Sequence, residues 1–210
     1  MKIPNYDIED DTTNFKQLYN FMPDRCFRML ISGPSGSGKT NSLIHMILKL
    51  LYYDKIHLYA KNLEQSKYQN LIKKFKPISK EVGYNILETS NDEIIPVTEM
   101  DDESQKLVIF DDYVTEKNQD KLIDYFIRGR HKNCSVVYLS QSFYGTPKPI
   151  RLNCSHYAIY DFPSSNERNM ISRETGVSKD KYIKATQEPY DFLYVDKPRK
   201  LIMKNFNGII

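Results

Sequence analysis

The residues with the clearest chemistry lie in one short run, Gly33-Pro34-Ser35-Gly36-Ser37-Gly38-Lys39-Thr40. Its glycines allow the backbone to curl so that successive N–H groups point inward, where they bind phosphate oxygens. The helix expected after the run adds the positive end of its dipole. Lys39 would bring a cation to the β- and γ-phosphates, and Thr40 a hydroxyl to Mg²⁺. We therefore predict a nucleoside triphosphate site that extends one residue further, to Asn41.

Two adjacent acids, Asp111 and Asp112, follow the apolar run at 107–110. A strand of this kind carries Asp111 to the carboxyl edge of a parallel sheet, beside Thr40, where its carboxylate would bind Mg²⁺. Asp112 lies on the opposite face or in the turn, where it would act as a general base toward a water molecule. The alternative is a pair of surface acids in a turn, and the complete glycine-rich run favours the catalytic interpretation.

Gln141 ends the next apolar run, 134–139 followed by Ser140. If this strand is adjacent to both the glycine-rich loop and the acidic strand, Gln141 lies between them, within reach of the γ-phosphate and the attacking water. A polar residue after a strand is ordinary by itself. The order of the three features along the chain makes the interpretation specific.

Alternating strand and helix patterns would position these residues in an α/β fold with a mostly parallel, doubly wound sheet. Ser164 with Glu167 three residues later indicates a capping box, and Gly176 would end that helix. The segment 86–103 is polar and is predicted to be a loop, and 145–151 to be a stiff loop or connector. Strands are predicted at 28–32, 55–60, 106–110, 134–139 and 157–162, helices at 42–51, 64–75, 118–128 and 164–176, and a C-terminal hairpin at 191–195 and 200–204.

Composition indicates a single domain in the 210 residues, which we divide into an arm at 1–24 and a domain at 25–210 that includes the hairpin at about 190–205. A net charge of only +3 excludes a uniformly basic nucleic-acid coat. No segment reaches the ~20 apolar residues of a membrane span, and the polar start is not a signal peptide, so we expect a soluble intracellular protein. Neither the three cysteines nor the four histidines have the spacing of a metal site.

Three further segments resemble those of a known family. They are 127–133 (Ile-Arg-Gly-Arg-His-Lys-Asn), 136–143 (Val-Val-Tyr-Leu-Ser-Gln-Ser-Phe) and 147–153. With the order of the earlier motifs, residues 20–175 resemble the genome-packaging ATPases of large DNA viruses, virophages and Polinton-like elements, in the FtsK–HerA superfamily. The resemblance implies the additional-strand class of P-loop NTPase. One departure is that much of the superfamily has Glu where this chain has Asp112, so the base is shorter.

The resemblance implies an ATP- and Mg²⁺-dependent motor that moves double-stranded DNA, without sequence preference, into a preformed capsid. It would work as a pentameric or hexameric homo-oligomeric ring with capsid or portal proteins as partners. Its location would be the host cytoplasm, the viral factory or the virion. A small-molecule kinase, a cellular-type DNA pump and a non-catalytic nucleotide switch are the alternatives.

In such rings an arginine of one subunit completes the site of its neighbour, because charge that develops on the phosphoryl group requires a late-arriving cation. Arg130 is our preferred candidate, and Arg128, Arg151 and Arg168 are the others. An arginine at a helix end also simply complements the dipole. DNA phosphates would be contacted by Lys132, by Lys148 and Arg151, and by the five lysines between 67 and 80, although a solvated face also explains that last group.

Overall fold

The computed structural model describes residues 22–23, 26–91, 93–116 and 118–209, so the arm predicted at 1–24 lies outside it except for Met22 and Pro23. Within these ranges nine strands form one sheet, in the order β3-β2-β4-β5-β1-β6-β7-β8-β9. Neighbours from β3 to β6 are parallel, and those from β6 to β9 are antiparallel. The strands are β1 (Arg28–Ser32), β2 (Lys55–Ala60), β3 (Leu87–Ser90), β4 (Lys106–Asp111), β5 (Cys134–Ser140), β6 (His156–Tyr160), β7 (Phe192–Asp196), β8 (Leu201–Lys204) and β9 (Gly208–Ile209).

Helices cover both faces of this sheet. They are α1 (Lys39–His45), which continues as a π-helical turn over Met46–Leu50, α2 (Ser66–Val82), α3 (Asp120–Arg128), α4 (Lys148–Asn153), α5 (Ser165–Thr175) and α6 (Lys179–Ala185). In β4, Leu107 and Ile109 pack with α1 and α2, whereas Val108 and Phe110 pack with α3. Both faces of the strand are buried, which explains its unbroken apolar run. None of the helices in the described ranges has the length and apolar composition that a bilayer span requires.

The strand order confirms the α/β prediction and the additional-strand arrangement, because β5 lies between β1 and β4. The C-terminal hairpin is also confirmed, as β7 and β8 pair antiparallel. The helix predicted at 64–75 instead begins at Ser66 and continues to Val82, with Pro77 inside it. Two further helices, α4 and α6, have no counterpart in the sequence prediction. The stiff loop predicted at 145–151 is wrong, because the prolines that suggested it lie at the start of α4.

Two further local predictions are wrong. The segment 86–103 is not a plain loop, because β3 pairs in parallel with β2 and a 3₁₀ turn follows at Val97–Glu99. β3 is an edge strand without a buried residue, so it lacks the apolar signal of the inner strands. No capping box forms at Ser164, whose side chain makes no capping hydrogen bond. The carboxylate of Glu167 instead accepts hydrogen bonds from Ser142 and Tyr144.

Arg151 is a structural residue and is not available to DNA or to a neighbouring subunit. Its side chain is 8% exposed, and its Nε lies 3.0 Å from Glu174 Oε2 on α5. Its Nη1 donates to the carbonyl oxygens of Tyr144, at 2.9 Å, and Thr146. The ion pair and these backbone contacts join α4, α5 and the segment that follows β5.

Arg151→Ala should lower the free energy of unfolding by about 3–5 kcal/mol, because it leaves the Glu174 carboxylate partly buried without its cation. Arg173→Ala is the matched control, since Arg173 is exposed on the same helix as Glu174, and it should change the value by less than about 0.5 kcal/mol. Urea denaturation measures both. Equal effects of the two substitutions would show that the pair does not stabilise the fold.

Candidate functional site

The glycine-rich run forms the turn from β1 to α1 at the carboxyl edge of the parallel strands. Gly36 and Gly38 have φ angles of 77° and 105°, which side-chain-bearing residues rarely adopt. A Cβ atom on Gly33 would lie 2.6 Å from Tyr160 Cβ and 2.7 Å from Ser37 Oγ. Each glycine of the run therefore has a steric reason, and the strand–loop–helix context of a phosphate-binding loop is present.

The ammonium group of Lys39 lies inside this loop. Its Nζ donates hydrogen bonds to the carbonyl oxygens of Gly33, at 2.6 Å, and Pro34, at 2.8 Å. Burial lowers the pKa of Lys39, and the negative charges of Asp111 and Asp112 oppose that change. A cation is thus held by carbonyl oxygens of the loop and close to two carboxylates, while its contact with phosphates stays a prediction.

Asp111 ends β4, and its Oδ2 accepts a short hydrogen bond from the hydroxyl of Tyr68 on α2. Burial raises the pKa of Asp111, the Tyr68 hydrogen bond lowers it, Asp112 raises it and Lys39 lowers it. Burial also raises the pKa of Tyr68, with the Asp111 charge adding to the rise, and the nearby Thr40 side chain opposes it. Tyr68 therefore binds Asp111, one of the two predicted Mg²⁺ ligands, and lies near Thr40, the other.

Asp112 and Gln141 meet where β4 and β5 end. Asp112 is exposed and has a φ angle of 64°, a left-handed conformation that aspartate tolerates better than most residues. Gln141 Nε2 donates to Asp112 Oδ1 at 3.4 Å. The preceding residue, Ser140, accepts a hydrogen bond at 3.1 Å from the backbone N–H of Gly33. The loop, the acidic strand and the glutamine are thus in contact, as the topology requires, while their catalytic roles stay predictions.

Glu167 fixes the segment that carries Gln141. Its carboxylate accepts hydrogen bonds from the hydroxyl of Ser142 and from the backbone N–H of Tyr144, both at 2.8 Å. Arg151 donates to the carbonyl oxygens of Tyr144 and Thr146 in the same segment. Sequence reasoning assigned Glu167 to a helix cap and missed this role, because its partners lie more than twenty residues away along the chain.

The preferred candidate arginine, Arg130, lies away from the loop of its own chain, and Arg128 and Arg168 have partners of their own. Arg130 is exposed in the 3₁₀ turn Gly129–Lys132 before β5, whereas Gln141 follows β5. The seven residues of that strand separate the two by about 20 Å at roughly 3.3 Å per residue. Arg168 is held by Asp161, at 3.0 Å, and by the carbonyl of Phe162, whereas the exposed Arg128 lies 3.9 Å from Asp124.

The predicted DNA-contacting lysines are on the surface. All five lysines between 67 and 80 are exposed on α2, and Lys148 is exposed at the start of α4. Lys132 is partly buried and forms an ion pair with Asp102. The fold therefore leaves α2 and the start of α4 accessible to phosphate groups, and removes only Arg151 from the predicted set.

Comparisons with known proteins agree with this geometry. The family described as Poxvirus A32 protein matches residues 14–188. DNA packaging protein OPG160 of Variola virus and of Vaccinia virus is 30% identical over 154 residues, which cover 69% of this chain and 57% of each relative. The chain thus spans little more than half the length of those relatives.

Solved structures with the same fold include B204, the DNA-packaging ATPase of Sulfolobus turreted icosahedral virus. It has a TM-score of 0.59 and 16% identity over 85% of this chain and 96% of that one. The genome packaging NTPase B204 of Sulfolobus turreted icosahedral virus 2 in complex with AMPPCP has a TM-score of 0.60 and 15% identity over the same shares. At these identities the likeness concerns the fold.

Glu167→Ala should loosen the segment 142–146, because it removes the acceptor of the Tyr144 N–H and of the Ser142 hydroxyl. We expect amide hydrogen exchange of Tyr144 to accelerate by about tenfold or more, which corresponds to at least ~1.4 kcal/mol of lost protection. Glu188→Ala, at an exposed glutamate in the turn before β7, is the control. Unchanged exchange at Tyr144 in Glu167→Ala would refute this anchoring role.

Proposed function

Because the chain belongs to the poxvirus A32 protein family, we propose that it is an ATP-hydrolysing motor that moves double-stranded viral DNA into a preformed capsid. The observation that supports this most strongly is the meeting of the phosphate-binding loop, Asp112 and Gln141 at one sheet edge. The names of the relatives, which are DNA packaging proteins, support the choice of DNA as the substrate that is moved.

ATP would bind with its phosphates in the loop formed by residues 33–40 and Asn41. Mg²⁺ would be held by the Thr40 hydroxyl and the Asp111 carboxylate, and when bound it neutralises phosphate charge. The residues fit this ion because both offer oxygen atoms and Tyr68 fixes the Asp111 carboxylate by a hydrogen bond, and because Mg²⁺ takes few protein ligands and keeps several waters. Lys39 is already positioned in the loop by two carbonyl oxygens.

Within this site Asp112 accepts the proton of the attacking water and Gln141 orients that water. Their 3.4 Å contact places a carboxylate oxygen and an amide side by side, so one water can be bound by both. Aspartate is shorter than the glutamate found in much of the superfamily, and the Gln141 amide adds a second polar group beside it. The exposure of both side chains leaves this edge accessible to a residue from a second subunit.

The exposure of Asp112 and Gln141 also agrees with a ring, in which a neighbouring subunit would complete the site. Arg130 is about one strand length away from the site of its own chain, so it would act on a neighbour. Capsid or portal proteins would be the partners of the ring. The viral factory in the host cytoplasm is then where the motor would work.

Double-stranded DNA should stimulate ATP turnover, whereas added nucleosides should not. Lys39→Ala should abolish turnover, and Asp112→Asn should slow it by about 10²–10⁴-fold, the usual contribution of a general base, while ATP binding persists. Asp180→Asn, at an exposed aspartate on α6, is the matched control. Stimulation by a nucleoside would instead indicate a small-molecule kinase, and wild-type turnover in Lys39→Ala would remove the proposal.

Arg130→Ala should be inactive alone but regain partial activity when mixed with Asp112→Asn, because each variant supplies what the other lacks across a subunit boundary. Turnover is measured over a series of mixing ratios with ring assembly followed by electron microscopy. Rings without rescue at any ratio would transfer this role to Arg128, since Arg151 and Arg168 are held by internal partners.

A further inference from the structure

A cavity of about 470 Å³ adjoins the phosphate-binding loop. The loop and α1 form one wall through Gly38, Asn41 and His45, and the opposite wall includes Tyr190 and Asn207. This volume is in the range of small-ligand pockets. The catalytic edge described above, with Asp112 and Gln141, does not line it, so the cavity extends the site on the other side of the loop.

Tyr190 borders this cavity from the turn 188–191, which the hydrogen bond from Asp191 N–H to the Glu188 carbonyl closes at 3.1 Å. It is 71% exposed, and its φ angle of 68° is a genuine outlier for a bulky residue. Its Cδ1 would lie 3.4 Å from a Cβ atom on Gly38, so the ring borders the loop itself. Backbone strain of this kind costs about 1–3 kcal/mol and is concentrated at ligand sites.

The remainder of the cavity presents aromatic faces and amide groups. Tyr160 and Phe192 have ring centroids 5.3 Å apart, and Phe192 and Phe206 are 5.0 Å apart. Asn41 and Asn207 contribute side-chain amides that both donate and accept hydrogen bonds. Aromatic surface with a few amides at its rim suits a flat heteroaromatic ring that carries polar edge atoms.

We propose that this cavity binds the base and ribose of the nucleoside triphosphate, with the Tyr190 ring stacked on the base. The inference rests on the proposed function, because it takes the loop as the site of the phosphates. A nucleotide whose phosphates lie in the loop beside Gly38 has its nucleoside within reach of this cavity. Stacking uses the π-face that every base has, so Tyr190 provides affinity for the nucleoside without choosing one base.

The test compares ATP with inorganic tripolyphosphate, which has the phosphates but no base. Both are titrated by calorimetry in Mg²⁺ against the wild type, Tyr190→Gly, Tyr190→Phe and Tyr84→Ala. Glycine removes the ring and relaxes the positive φ angle, so the fold is preserved. Tyr84 is a second exposed tyrosine, 47% accessible, between α2 and β3 at the far edge of the sheet.

Tyr190→Gly should weaken ATP binding by about ten- to hundredfold, the value of one stacked base, and leave tripolyphosphate affinity within about twofold. Tyr190→Phe and Tyr84→Ala should bind both ligands as the wild type does. Equal weakening of both ligands would show that the ring supports the loop, and unchanged ATP affinity would place the base elsewhere; either result overturns the inference while leaving the ATPase proposal intact. A wild type that binds neither ligand would overturn both.

Discussion

The site depends on the register of the strands whose ends meet at it. The hydrogen bond between the Gly33 N–H and the Ser140 carbonyl, at 3.1 Å, fixes part of that register. It extends the parallel pairing of β1 with β5 by one step beyond Ser32 and Ser140, to the point where both strands end. On its other side β5 pairs with β4 up to Asp111. Three strand ends therefore meet in register, and the residues that follow them have to lie close together. A slip of β5 along either neighbour would separate Gln141 from Asp112 and from the loop.

Charge is concentrated at this edge, and the fold compensates for it with hydrogen bonds. Lys39 and Asp111 are both largely withdrawn from water, and in each case burial is the largest influence on the pKa. The carbonyl oxygens of the loop stabilise the ammonium group, and the Tyr68 hydroxyl stabilises the carboxylate. Since buried charges without such partners are costly, these contacts favour the charged form of each group and hold both side chains in fixed positions. Phosphates and Mg²⁺ would then enter a site whose charges are already oriented.

Sequence reasoning could identify the residues that have a local motif. Spacing predicted the glycine-rich loop, the two acids at the end of β4 and Gln141 after β5. The rule that parallel strands end at one edge of the sheet predicted that these residues lie close together. Sequence reasoning did not identify Tyr68, Glu167 or Tyr190, because their roles depend on contacts between residues that are far apart in the sequence. Tyr68 is 43 positions from Asp111, and Glu167 matched a capping signature whose partner it does not bind. The prediction that Arg151 contacts DNA is wrong for the same reason. A basic residue in a proline-rich segment gives no sign that it forms a buried ion pair with Glu174 on another helix.

The central claim is that nucleotide hydrolysis at this edge moves DNA, and displacement of a third strand from a triplex tests it most directly. The protein is loaded on a duplex that carries a triplex-forming oligonucleotide downstream, and release of that oligonucleotide is followed by fluorescence. Our account predicts release that requires ATP and Mg²⁺, does not depend on the sequence of the duplex, and is absent in Lys39→Ala. ATP turnover that is stimulated by DNA without release of the third strand, or equal release in Lys39→Ala, would contradict it.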